Sequence, residues 1–247
     1  MKKLFILLTA VAVCAFAKAN DELLIIEEGT PDFWGETGKL ATVSLDWSNT
    51  VVVEWEGKGK VKNNFGTIEQ YNRSKGDDFV RDWPNVQQVV EGQAASWANY
   101  VNKKKGLKVI SPMSPMMFEA MKGMNEEQKA ELTKDWPKQE KQGVIYREYS
   151  EAAYDIIFSI DTIDMGNAAA SAFRAAFGEG QYRGGAEIVG TMEVREHSTQ
   201  NVVCKLHLNH VKGLGSYAET ARMSNVFWRL WQDAMPTLIK SLGKKKK

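Results

Sequence analysis

Apolar and polar residues alternate most regularly between residues 186 and 211. Ile188, Gly190, Met192 and Val194 alternate with Glu187, Thr191, Glu193 and Arg195, the period-two signature of a strand with one buried face. A polar turn follows, His197-Ser198-Thr199-Gln200-Asn201, and a second run puts Cys204, Leu206, Leu208 and His210 on one side. Two such runs joined by a short polar turn predict an antiparallel hairpin, expected at the centre of a sheet.

Upstream, the same periodicity predicts strands over 23–27, 40–47, 51–55 and 154–164, with a short one at 109–110. The Gly- and Lys-rich stretch 56–62 reads as a turn or exposed edge. Helical spacing of Val86, Val90, Trp97 and Val101, with Asp82 as a cap and Pro84 in the first turn, predicts a helix within 77–102 that Gly106 ends. Shorter helices are predicted at 116–124 and 126–134, the second capped by Asn125 and stopped by Pro137. A small-residue helix is expected over 168–177. A last helix opens with the capping-box pair Ser216 and Glu219 and runs to about 242, kinked at Pro236. Strands and helices mix without strict alternation, so the expected fold is α+β: a mixed, largely antiparallel sheet with helices packed on it in two or three layers.

The amino terminus changes the picture. Met1-Lys2-Lys3, an apolar run from Leu4 to Ala17 and small residues at Ala15, Ala17 and Ala19 have the order of a secretory signal peptide. The run is shorter than the roughly 20 apolar residues a spanning helix needs. The expected organisation is a leader over 1–19, one α+β domain over 20–242 and a basic tail over 243–247, exported to the periplasm or beyond. Cys14 would anchor the chain if lipidated, but Val13 precedes it where a lipobox has Gly, Ala or Ser. Removing Lys2, Lys3 and Lys18 turns the net charge from +1 to −2. A mildly acidic body argues against a nucleic-acid partner, which needs a clustered basic face.

Candidate chemistry is sparse. Gly213-Leu214-Gly215-Ser216-Tyr217-Ala218 follows a strand and opens a helix like a dinucleotide turn, but no second parallel strand follows it. The turn itself, through Gly213, Gly215 and Ser216, is a possible anion site. His207, His210 and Cys204 are weak metal-ligand candidates, since His207 and His210 are an odd number of residues apart and point to opposite faces of a regular strand. Asp161 and Asp164 are a candidate acid–base pair. Met113, Met116, Met117, Met121 and Met124 suit either a core stripe or Cu(I). No cofactor is expected. The last helix carries apolar residues over an arc of roughly 200°, twice what a one-sided surface helix needs. Such a helix is either buried on two sides, against the sheet and another helix, or turned in part toward a partner, and in the second case Trp228 and Trp231, with Phe227 and Met235, are the expected interface.

The run Tyr154-Asp155-Ile156-Ile157-Phe158-Ser159-Ile160-Asp161, the small-residue helix, Gly178-Glu179-Gly180, the hairpin and the closing helix together resemble a diffuse group of exported bacterial envelope proteins, many of them lipoproteins. The group's fold is similar to the amino-terminal domain of the translocation protein TolB and to curli-secretion-type lipoproteins. The resemblance implies a non-enzymatic protein that binds an envelope partner or itself, and brings no catalytic residues. The alternatives are a ligand- or metal-binding periplasmic module and a hydrolase with a carboxylate–histidine site.

Overall fold

The computed structural model describes residues 24–56, 60–75, 92, 94–164 and 187–212. The leader, the small-residue helix, the last helix and the tail lie outside these residues. Eight strands among them form one mixed sheet: β1 (Leu24–Gly29), β2 (Leu40–Asp46), β3 (Val51–Trp55), β4 (Val61–Thr67), β5 (Lys108–Val109), β6 (Tyr154–Asp164), β7 (Glu187–Glu196) and β8 (Val202–Lys212). The order β1-β8-β7-β6-β2-β5 runs across it, with β3 beside β6 and β4 beside β3. β1-β8, β8-β7 and β7-β6 are antiparallel, whereas β2 and β3 run parallel to β6. The fold is α+β, as expected. The hairpin is present, but the hub is β6, the strand with three partners.

β6 earns that place by its composition. It pairs through its first half with β2, from Tyr154 to Ser159, and through its end with β3, at Thr162 and Ile163. Between these pairings the Thr50 hydroxyl donates to the Ile160 carbonyl at 2.6 Å, satisfying a buried acceptor the fork would otherwise leave open. Alternation holds until Ile160 and then breaks. Asp161 is an extra residue between the pairs Ile160–Gly190 and Thr162–Val189, so it forms a β-bulge that turns the strand. Gly190 is required opposite: a Cβ there would meet the Ser159 carbonyl oxygen at 2.1 Å.

One face of the sheet is the core. Ile156, Phe158 and Ile160 of β6, Ile188, Met192 and Val194 of β7, and Cys204, Leu206 and Leu208 of β8 are all buried. Helix α2 (94–102, following α1, Ile68–Lys75) brings Ala94, Trp97, Ala98 and Val101 into burial. The Trp97 ring meets Phe158 edge-on at 5.7 Å and Trp34 at 6.0 Å. Beyond Gly106, α3 (Ser114–Met121), α4 (Glu126–Thr133) and α5 (Trp136–Lys141) form a satellite. Asn125 caps α4 in a reciprocal box with Gln128, and Trp136 gathers Phe118 and Tyr146 around it at 5.7 and 5.1 Å.

Three details add to or correct the sequence expectations. The stretch 56–62, expected as a turn or exposed edge, ends in an edge: Val61 opens the exposed strand β4, which pairs only with β3 among the described residues and carries Asn63, Asn64 and Gly66. α1 has little apolar periodicity and was not expected. Pro137 lies in the first turn of α5, where its missing N–H costs nothing, and so begins a helix as well as following one.

Candidate functional site

The outer face of the sheet, away from the core, carries the polar chemistry. At one end the hairpin turn closes on Asp155. The Thr42 hydroxyl donates to Asp155 Oδ1 at 2.7 Å, and His197 Nδ1 lies 2.9 and 3.1 Å from the two oxygens. Gln200 Nε2 donates to Oδ2 at 2.9 Å and also to the His197 carbonyl. A carboxylate only accepts, so Nδ1 is the protonated nitrogen here. Local sequence makes this possible: Gln200 adopts φ 60° and its N–H returns to the Glu196 carbonyl, while His197 N–H reaches the Ala153 carbonyl at 2.8 Å. Burial is the largest single influence on the Asp155 carboxyl and pushes its pKa up, but the bonds from Thr42, Gln200 and His197 outweigh it and hold the carboxyl below its usual value.

Farther along the same face, two bulges bring acids toward the strands between them. Glu27 is the extra residue of β1, between the pairs Ile26–Leu206 and Glu28–Lys205, and Asp161 is that of β6. Lys205 and His207 stand on β8 beside Glu27, with Lys205 Nζ at 3.4 Å and His207 Nδ1 at 3.9 Å. Burial pushes the Asp161 carboxyl up, opposed by the charges of His207 and Lys205 and reinforced by Glu27. On β7 between them Arg195 is bonded to Glu193. Lys205 therefore stands between Glu27 on β1 and its cross-strand neighbour Glu193 on β7, so opposite charges compensate over these three strands.

The predicted site residues separate. Cys204 lies in the core, its thiol pushed up to about 11 by burial, and His207 belongs to the opposite face. The β7–β8 register shifts between Leu208 and Val211, so simple alternation does not carry through His210. No group of three or more His, Cys, Asp or Glu residues among those described is placed to hold a metal. Asp164 accepts from the Trp55 backbone N–H at 3.0 Å and ties β3 to β6, whereas Asp161 looks across the charged row. Met113 and Met116 are exposed, at 47% and 66%. Gly213, Gly215, Ser216, Phe227, Trp228, Trp231 and Met235 lie outside the described residues.

Chemically, Asp155 orients His197 and leaves its Nε2 able to accept a proton or hydrogen bond. No hydroxyl or thiol among the described residues is bonded to that nitrogen, so no activated nucleophile accompanies it. The signal for this pair was present in the sequence as an acid inside an apolar strand and a histidine in the turn, but their 42-residue separation hid it. A second feature also escaped sequence reading. Among the described residues β1 is the outermost strand on its side, and Ile25 and Ile26 are 38% and 46% exposed.

No protein-family model matches the sequence, nor does any curated protein. Among solved structures the chain is similar to the PelC dodecamer from Paraburkholderia phytofirmans, with 10% identity over 84% of this chain and 94% of that one and a TM-score of 0.30. It is also similar to a Xanthomonas campestris protein of family DUF330, with 11% identity over 89% of this chain and 94% of that one and a TM-score of 0.28. At such scores the likeness says nothing about what this chain binds or does, and it carries no likeness to TolB.

Proposed function

We propose that the chain is a non-enzymatic, exported cell-envelope protein that acts by binding a protein partner of the envelope. The observation that carries the reading is the outer edge of β1. From Leu24 to Ile26 it presents strand backbone with two exposed isoleucines, while Glu27, Glu28 and the bulge guard the remainder against further pairing. A short unguarded length suits an added strand of a partner. Trp228 and Trp231, with Phe227 and Met235, are proposed as a second contact, and the segment Gly213, Gly215 and Ser216 as a subsidiary anion contact.

The test places a photo-crosslinking residue at position 25 in cells, with a control at the exposed Glu131. A discrete adduct at 25, missing at 131 and abolished by Ile26→Lys, is expected, because an edge lysine opposes strand addition. The same adduct pattern at both positions, or one indifferent to Ile26→Lys, overturns the edge as the binding site. A second crosslinker at position 228 tests the second contact independently.

A further inference from the structure

The described basic side chains divide into two groups. Lys60, Lys62, Lys122, Lys129, Lys134 and Lys205 each have a carboxylate within ion-pair distance, as do the arginines Arg73, Arg147 and Arg195. The lysines without one fall in a single region. Lys103, Lys104 and Lys105 leave the end of α2 as an exposed run. Lys39 joins them from the start of β2, its carbonyl accepting from the Lys108 N–H at 3.0 Å. Lys108 Nζ turns back to the carbonyls of Asn102 and Lys104. Lys138 and Lys141 belong to α5, and two residues past its end the Gly143 carbonyl accepts from Asn102 Nδ2 at 2.7 Å. Thus three segments distant in sequence bring unpaired lysines to one end of a chain whose overall charge is near zero.

A bland role accounts for part of this. Cations after a helix carboxy terminus offset its dipole, and Lys108 satisfies its open carbonyls. That role needs one or two lysines at α2 and does not call for Lys39 or an unneutralised run. We infer that this end of the molecule is a contact surface for an anionic phospholipid membrane. The inference rests on the exported-envelope reading above, and names how the protein is held near a bilayer without a spanning helix among the described residues. Lysine without arginine favours lipid over nucleic acid: every described arginine, the residue that reads phosphate and bases in a bidentate fashion, is engaged with a carboxylate. Ammonium groups on flexible stems suit the diffuse field of a headgroup layer. Glu36 is the nearest acid along the chain from Lys39, and it accepts the Tyr154 hydroxyl at 2.8 Å.

The test uses the exported protein with vesicles of neutral phosphatidylcholine alone or mixed with phosphatidylglycerol, read by co-sedimentation. The variant carries Lys39→Gln, Lys103→Gln and Lys105→Gln, exposed positions whose loss does not disturb the fold, as a thermal melt checks. A lysine near an anionic surface is worth about 1 kcal/mol, so three are expected to weaken binding roughly a hundredfold. Binding only to the anionic vesicles, lost in the variant and in high salt, supports the inference. Equal binding to neutral vesicles overturns it. So does full binding by the variant, or loss instead in a second variant with glutamine at 244–247, which assigns the attraction to the tail. Capture by a soluble polynucleotide without vesicle binding also overturns it and points to nucleic acid. Crosslinking at position 25 in the same variant separates the two claims: a persisting adduct with lost vesicle binding leaves the partner reading intact, and the reverse leaves this one.

Discussion

Replacing Asp155 with alanine tests whether the carboxylate holds the hairpin turn against the sheet. The substitution removes the acceptor for three side chains at once: Thr42, His197 and Gln200. They do not count equally. His197 is 33% exposed and recovers hydrogen bonds from water, as does the exposed Gln200, so each contributes about half a kcal/mol. Thr42 is 7% exposed and its hydroxyl is left without its acceptor, which costs about 1–2 kcal/mol. The expected loss is therefore about 2–3 kcal/mol near pH 7, read from the urea midpoint at unchanged slope. The pH dependence follows from the direction of the shift. The folded carboxyl lies below 3.8, so its contribution is complete above that value and disappears as pH falls through the lowered folded value. The gap between native protein and variant should hold at about pH 5 and narrow as pH falls below 3.8, the part left in acid being the bonds a neutral carboxyl still accepts. A variant as stable as the native protein near neutrality, or a gap that widens in acid, would refute the clamp.

Three other outcomes are expected. Trp97→Ala, which empties the space between Phe158 and Trp34, should cost about 3–5 kcal/mol by denaturation, with Trp97→Phe losing clearly less. Cys204 should resist a thiol reagent in the native state near pH 8 and react at once in denaturant, because burial holds its thiol at about 11; rapid native labelling would place it outside the core. Asp161→Asn should leave the protein at least as stable near pH 7, since a carboxyl raised by the fold contributes stability below its unfolded value of 3.8 that is lost as pH rises; the advantage of the variant should vanish in acid, and a destabilised variant would contradict this sign.

Strong periodicity was legible and weak periodicity was not. β6 and the hairpin announced themselves because alternate side chains enter a core that tolerates little else, and Ile156, Phe158, Met192, Val194 and Leu206 are all fully buried. β4 went unread because an outer strand carrying Asn63, Asn64 and Gly66 is held by backbone pairing to β3 and not by side-chain burial. Bulges defeat the same reasoning differently. A single extra residue at Asp161 or Glu27 shifts every later side chain, and no local signal marks it. The Asp155 clamp and the lysine-rich end were invisible for a third reason: their members come from segments far apart in sequence, joined by the pairing of β2 with β6 and β5, by that of β6 with β7, and by the bond between Asn102 and Gly143.

The pairing of β1 with β8 sets an order of events during synthesis. Leu24 must find Leu208, and Gly29 must find Cys204, so the first of the described strands has to wait for the last of them. A loop that long closes slowly compared with the local hairpin of β7 and β8. Until then Leu24, Ile25 and Ile26 remain a short apolar segment without its β8 partner, open to pairing with whatever strand edge it meets first.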